Sequence, residues 1–175
     1  MTSINRSVWT NHLLESLDQM GEAGRDAAKY LRDHRTYIGF RRVRKNVGAF
    51  WTVIRTIHLN TMHYFLESDP ADPRVLTLMI HEVKHLQQGL ITALSIYGEL
   101  EAWQLQFRLY HQMTKVTVHT AIEELLSLPL GWDRDILRRA RGLMQDYASK
   151  GYRADLLPLY PLGMELRYRL LGRAP

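Results

Sequence analysis

The chain has 175 residues, 46% of them apolar and 23% charged, with a net charge of +5. That balance suits one globular domain with a real core and argues against disorder or low complexity. Cysteine is absent, which excludes disulfides, thiolate zinc sites and a cysteine nucleophile, so any metal would have to be held by His, Asp or Glu.

In chain order, residues 1–20 carry Arg6, Glu15 and Asp18 with no apolar signal core, so a cytoplasmic location is expected. No apolar run of about 18 residues occurs, so no membrane partner is expected either. Val8, Leu13, Leu17 and Met20 recur at helical spacing and Gly21 can stop that helix. A second helix is expected from residue 22 to about 34, with Ala27, Ala28, Tyr30 and Leu31 inward. Residues 36–44 (TYIGFRRVR) and 49–59 (AFWTVIRTIHL) are rich in β-branched and aromatic side chains. With Lys45-Asn46-Val47-Gly48 as the turn, they predict an antiparallel pair in which Trp51, Val53, Ile57 and Leu59 share one face. Asp72 and Pro73 form a helix start, and that helix should run to Gln88 before Gly89. Further helices are expected at 91–113, with an apolar stripe at Ile96, Leu100, Trp103 and Phe107, then at 118–126, 133–148 and 164–171. No linker or repeat interrupts the chain. The expectation is one domain: helices over 1–34, a hairpin over 36–60, a helix pair over 73–113 and helices over 118–175.

The informative stretch is His81-Glu82-Val83-Lys84-His85, an H-E-x-x-H sequence on a predicted helix. Residues i and i+4 project from one helical face, so both imidazoles can reach one ion. Glu82 lies about 100° around the axis, beside that face, where a base can take a proton from water. A catalytic zinc site needs a third protein donor. The next helix offers two, Glu99 and Glu101, which stand about 200° apart and cannot both face the ion.

At Glu101-Ala102 the sequence resembles the gluzincin metallopeptidases, in which the H-E-x-x-H helix is followed by a helix contributing a glutamate, often followed by Ala. The extended Ile57 to Asn60 segment and the His-x-x-Gln of His85 to Gln88 also look like small zincin-like domains. The resemblance implies zinc as cofactor, His81, His85 and Glu101 as its ligands, and Glu82 as general base. It implies an α+β, mainly helical, zincin-like fold with a small antiparallel sheet packed on the H-E-x-x-H helix. An edge strand of that sheet would bind an extended peptide or protein substrate. Two departures stand out. Only 15 residues separate His85 from Glu101, and Gln104-Leu105 occupies the place where many members have an Asp that orients a histidine. Support for the ligands is therefore expected from Gln104, Glu99 or a backbone carbonyl. Glu101 is the preferred third ligand, on the Glu-Ala match and on its place between Leu94 and Leu105; Glu99 is its rival.

Tyr97, Tyr110, His111, His119, Tyr152 and Tyr160 are all candidate oxyanion donors, and the sequence does not choose among them. His12, His34, His58 and His63 receive no role, and Trp103, Phe107 and Tyr110 read as core. Two rival functions remain: a zincin-fold binding module without activity, and a nucleic-acid binder using the cluster Arg41, Arg42, Arg44 and Lys45 with Arg138, Arg139 and Arg141.

Overall fold

The computed structural model describes residues 5–117, 119–149 and 152–172. Residues 1–4, Val118, Lys150, Gly151 and 173–175 lie outside them, so the expected start of the 118–126 helix is not among the described residues. Among the described residues the elements run α1 (Arg6–Asp18), α2 (Glu22–Asp33), β1 (Tyr37–Arg41), β2 (Ala49–Trp51), β3 (Thr56–Asn60), α3 (Pro73–Ala93) and α4 (Ile96–Thr114). Then follow α5 (Thr120–Ser127), α6 (Arg134–Ala148), a 3-10 turn (Ala154–Leu156) and α7 (Leu162–Leu171). The chain is mainly helical with one small mixed sheet, an α+β composition. Among the described residues no helix is long and apolar enough to cross a membrane. The chain divides into two compact units, Met1–Lys84 and His85–Pro175, at a point inside α3 rather than at a linker.

In the first unit, α1 is capped by Asn5, whose side chain accepts from Ser7 N at 3.0 Å. It buries Trp9, Leu13 and Leu17, one per turn. Gly21, at φ 80, makes the corner into α2. A β-carbon on Gly24 would lie 2.2 Å from Leu17 O, so only glycine lets the two helices approach this closely.

The sheet departs from the expected antiparallel pair. The strand order is β1-β3-β2, with β1 parallel to β3 and β2 antiparallel to it. The predicted second strand is in fact a complete hairpin, β2 and β3, turning at residues 52–55. Arg55 N donates to Thr52 O and Thr52 N to Thr56 O, both at 2.9 Å, while Arg55 takes the left-handed region at φ 57. Val53 sits in that turn and is exposed, so it shares no face with Ile57 and Leu59, which are fully buried. The Lys45 to Gly48 segment does not join paired strands; it carries the chain across the end of β3. Asn60 holds this crossing. Its buried amide donates to Arg44 O (2.9 Å) and Val47 O (2.7 Å) and accepts from Val43 N (3.2 Å). Arg41, Arg42, Arg44 and Lys45 are exposed along the same crossing.

Helix α3 starts where the sequence places it, with the Asp72 carboxylate accepting from Arg74 N at 2.7 Å. Val75, Leu76, Met79, Ile80 and Val83 are its buried apolar residues. Gly89 (φ 74, ψ 162) breaks the helical path after Gln88, and one further turn follows.

In the second unit, α4 begins at Ile96, five residues later than expected, because Ser95 caps it: Gly98 N donates to Ser95 Oγ at 3.0 Å. Two more of its free N–H groups are satisfied from residues far along the chain, Ile96 N by Pro158 O (2.8 Å) and Tyr97 N by Leu159 O (3.1 Å). The apolar stripe of α4 packs with α5 and α6 around Ile122, Leu125, Leu137 and Met144, all fully buried.

Candidate metal centre

His81 and His85 occur on one unbroken helical run, residues 73–88, so the helix itself sets their relation one turn apart. Both are buried, 7% and 2% exposed, and Glu82 beside them is 4% exposed. His81, His85 and Glu99 bring one potential ligand atom each within 4.8 Å of one another. His85 Nε2 lies 3.6 Å from Glu99 Oε1. Two ligands of a tetrahedral zinc, each at about 2.1 Å, stand about 3.4 Å apart, so this pair is already at ligand spacing.

The third member of the group is thus Glu99, where Glu101 was expected. The burial argument for Glu101 placed it on a helical face with Leu94. Because α4 begins at Ile96, Leu94 is not on that helix, and it is exposed. Glu99 instead borders the buried stripe between Ile96 and Trp103. Its Oε2 accepts from Trp103 Nε1 at 3.0 Å and from the Tyr152 hydroxyl at 2.6 Å. Both bonds end on one oxygen, while Oε1 faces His85.

Glu101 serves the group at one remove. Gln88 donates its side-chain N–H groups to Glu101 Oε2 (2.9 Å) and to Gly98 O (3.0 Å). With both amide protons committed, Gln88 Oε1 is left toward His85 Nδ1 at 3.1 Å and can only accept. A neutral His85 that donates from Nδ1 to this oxygen turns its Nε2 lone pair toward Glu99 and the ion position. Of the expected supports, a backbone carbonyl, Gly98 O, takes part through Gln88, whereas Gln104 bonds elsewhere. It is buried and donates to Leu125 O and Leu128 O, both at 2.8 Å, anchoring α5.

Three contributors were not assigned from the sequence: Gln88, Trp103 and Tyr152. Gln88 had a readable signal, since i and i+3 from His85 share a helical face. Trp103 is core, as expected, but its indole N–H also reaches Glu99. Tyr152 was one of six undifferentiated candidates, and its hydroxyl is on a carboxylate of the group. The remaining five have other surroundings. The Tyr160 hydroxyl donates to Trp132 O at 3.0 Å, His111 Nδ1 contacts Val116 O at 3.0 Å, and His119 caps α5. Tyr97 stacks on Trp132 with ring centres 4.0 Å apart, and Tyr110 is half-buried on α4.

Comparison with family models, curated proteins and solved structures returns no match.

Proposed function

We propose that this chain is a metal-dependent hydrolase, most simply a zinc metallopeptidase, with His81, His85 and Glu99 as metal ligands and Glu82 as general base. The observation that carries the reading is the group of two buried imidazoles, His81 and His85, and the partly buried Glu99 carboxylate, with its donor atoms within 4.8 Å of one another and Glu82 next in sequence to its first member. Two imidazoles and one carboxylate are a donor set of the kind catalytic zinc sites use. Such an ion, when bound, supplies a Lewis acid that polarises a carbonyl and acidifies water.

The chain's own residues do the rest. His85 is oriented by Gln88 and Glu101, and Glu99 by Trp103 and Tyr152, which fixes donor positions before any ion arrives. The Glu82 carboxylate takes a proton from the attacking water and delivers it to the leaving nitrogen. A peptide substrate is favoured by the antiparallel edge strand. Within the first unit β2 lies at the sheet edge, and a β-carbon on Gly48, the residue before it, would meet Leu78 Cδ2 at 3.1 Å. Leu78 is three residues before His81 on α3, so an extended peptide paired with β2 would run beside the helix that bears the ligands.

The test is Glu82→Gln. Wild type loaded with zinc should cleave fluorescein-labelled casein, and the variant should keep its metal and fold while losing cleavage. Zinc-loaded wild type without cleavage, indistinguishable from Glu82→Gln, would leave a binding module rather than an enzyme.

A further inference from the structure

The second unit also contains a cleft of about 380 Å³ that the metal-centre reading does not use. Helix α6 contributes Arg134, Arg138 and Arg141 to it, spaced i, i+4 and i+7 along one face. Leu156, Leu162 and Leu166 supply an apolar wall that is open to solvent. The floor is preformed, because Pro158 and Leu159 line the cleft while their carbonyls hold the first turn of α4.

The charges in this cleft are unevenly matched. Arg134 is engaged by Glu165 through two bonds, at 3.3 and 3.2 Å, and the same buried carboxylate accepts from Arg169 Nε at 3.1 Å. Arg138 pairs at the surface with Asp135 at 2.5 Å. Arg141 is different. Its Nη2 donates to Leu157 O at 2.6 Å, and its buried Nε has no acceptor among the described residues, as is the case for Arg134. No carboxylate among the described residues comes within ion-pair distance of Arg141. Burial pushes its pKa below the ordinary guanidinium value; Glu165 and Asp155 act against that, and Arg134 and Arg138 add to it. A partly buried guanidinium with no carboxylate at ion-pair distance is costly to keep, and a guanidinium is a favoured partner for the oxygens of a carboxylate or phosphate.

We propose that this cleft binds a small organic oxyanion, a carboxylate or a phosphate monoester, whose charged end lies on Arg141 flanked by Arg138 and Arg134. The apolar body of the ligand lies against Leu156, Leu162 and Leu166. Few convergent polar groups set into an apolar wall is the ordinary build of a small-molecule site. The proposal does not depend on the metal centre.

The experiment is thermal unfolding of the full chain in rising hexanoate or inorganic phosphate, with ionic strength held constant by chloride. A ligand of the native state raises the midpoint in a saturable way. Wild type should respond to at least one anion; hexanoate alone marks the carboxylate source and phosphate alone the phosphate ester. Arg141→Gln should abolish the response. Arg138→Gln, at a side chain 56% exposed, should fold as wild type and raise the half-saturating concentration about fivefold. If Arg141→Gln does not fold, Arg138→Gln decides. No response beyond chloride in wild type, or a half-saturation unchanged in Arg138→Gln, overturns the proposal.

Discussion

Gly98 lies in the first turn of α4, one residue before Glu99, and its replacement by alanine sets two effects of opposite sign against each other. Helix propensity favours alanine by about 1 kcal/mol. Sterics oppose it. A β-carbon at Gly98 would lie 2.2 Å from Thr92 O, 2.9 Å from Thr92 C and 3.1 Å from Gln88 Oε1. Carbon-to-oxygen contact is comfortable near about 3.2 Å, so relief requires a movement of about 1 Å between backbones, neither of which is a flexible side chain. Overpacking of this kind costs about 3 kcal/mol, and the net effect of Gly98→Ala should be destabilisation by about 2 kcal/mol. The same movement draws Glu99 from His85 and disturbs the Gln88 bond to Gly98 O, so zinc affinity should fall about tenfold or more. Gly142 is the internal control. It is helical, in α6, and a β-carbon there would meet nothing within 4 Å among the described residues, so Gly142→Ala should stabilise by about 0.5 to 1 kcal/mol. Urea unfolding of the metal-free proteins reads stability, and competition with a chromophoric chelator reads affinity. Gly98→Ala with wild-type or higher stability and unchanged zinc affinity would refute the packing argument.

Gln88→Leu removes the acceptor for His85 Nδ1 and should lower zinc affinity about 10- to 100-fold in the chelator assay; wild-type affinity would deny Gln88 its orienting role. Glu165→Gln leaves Arg134 partly buried without its counter-charge and should cost about 3 kcal/mol in urea unfolding, whereas an unmoved midpoint would show that the Arg134 and Arg169 bonds contribute little. His58 is held below its ordinary pKa of 6.5, first by burial and second by Arg41. The unfolded chain then takes up a proton that the folded chain resists, so this contribution is full above the unfolded pKa and is lost as pH falls below it toward the folded value. Wild type should therefore gain stability relative to His58→Gln between about pH 5.5 and pH 7.5. A pH-independent difference would remove His58 from the account.

The helices were legible because their signals are local. Leu13 and Leu17 repeat at helical spacing and are buried, although Val8, expected with them, is exposed and Trp9 takes the inner place; Asp72-Pro73 starts α3, and Gly89 breaks it. The sheet was not, for a physical reason. AFWTVIRTIHL contains no Gly, Pro, Asn or Asp to announce a turn, yet it turns at residues 52–55 through backbone hydrogen bonds and a left-handed Arg55. Pairing β1 with β3 rather than with β2 depends on Asn60 tying down the crossing segment, an interaction that no local pattern encodes. The candidate site divides the same way. The relation of His81 to His85 follows from helical periodicity alone. The choice of Glu99 over Glu101 depends on where α4 starts, on Ser95, and on Tyr152, 53 residues further along. Those are tertiary facts.

The central claim is that His81, His85 and Glu99 hold a divalent ion. Elemental analysis of untagged protein, dialysed against zinc and then buffer, tests it most directly beside His81→Ala, Glu99→Ala and Glu101→Ala. The account predicts about one ion per chain in wild type, none in His81→Ala or Glu99→Ala, and weakened but retained metal in Glu101→Ala. A metal-free wild type, or metal kept by Glu99→Ala and lost by Glu101→Ala, would contradict it.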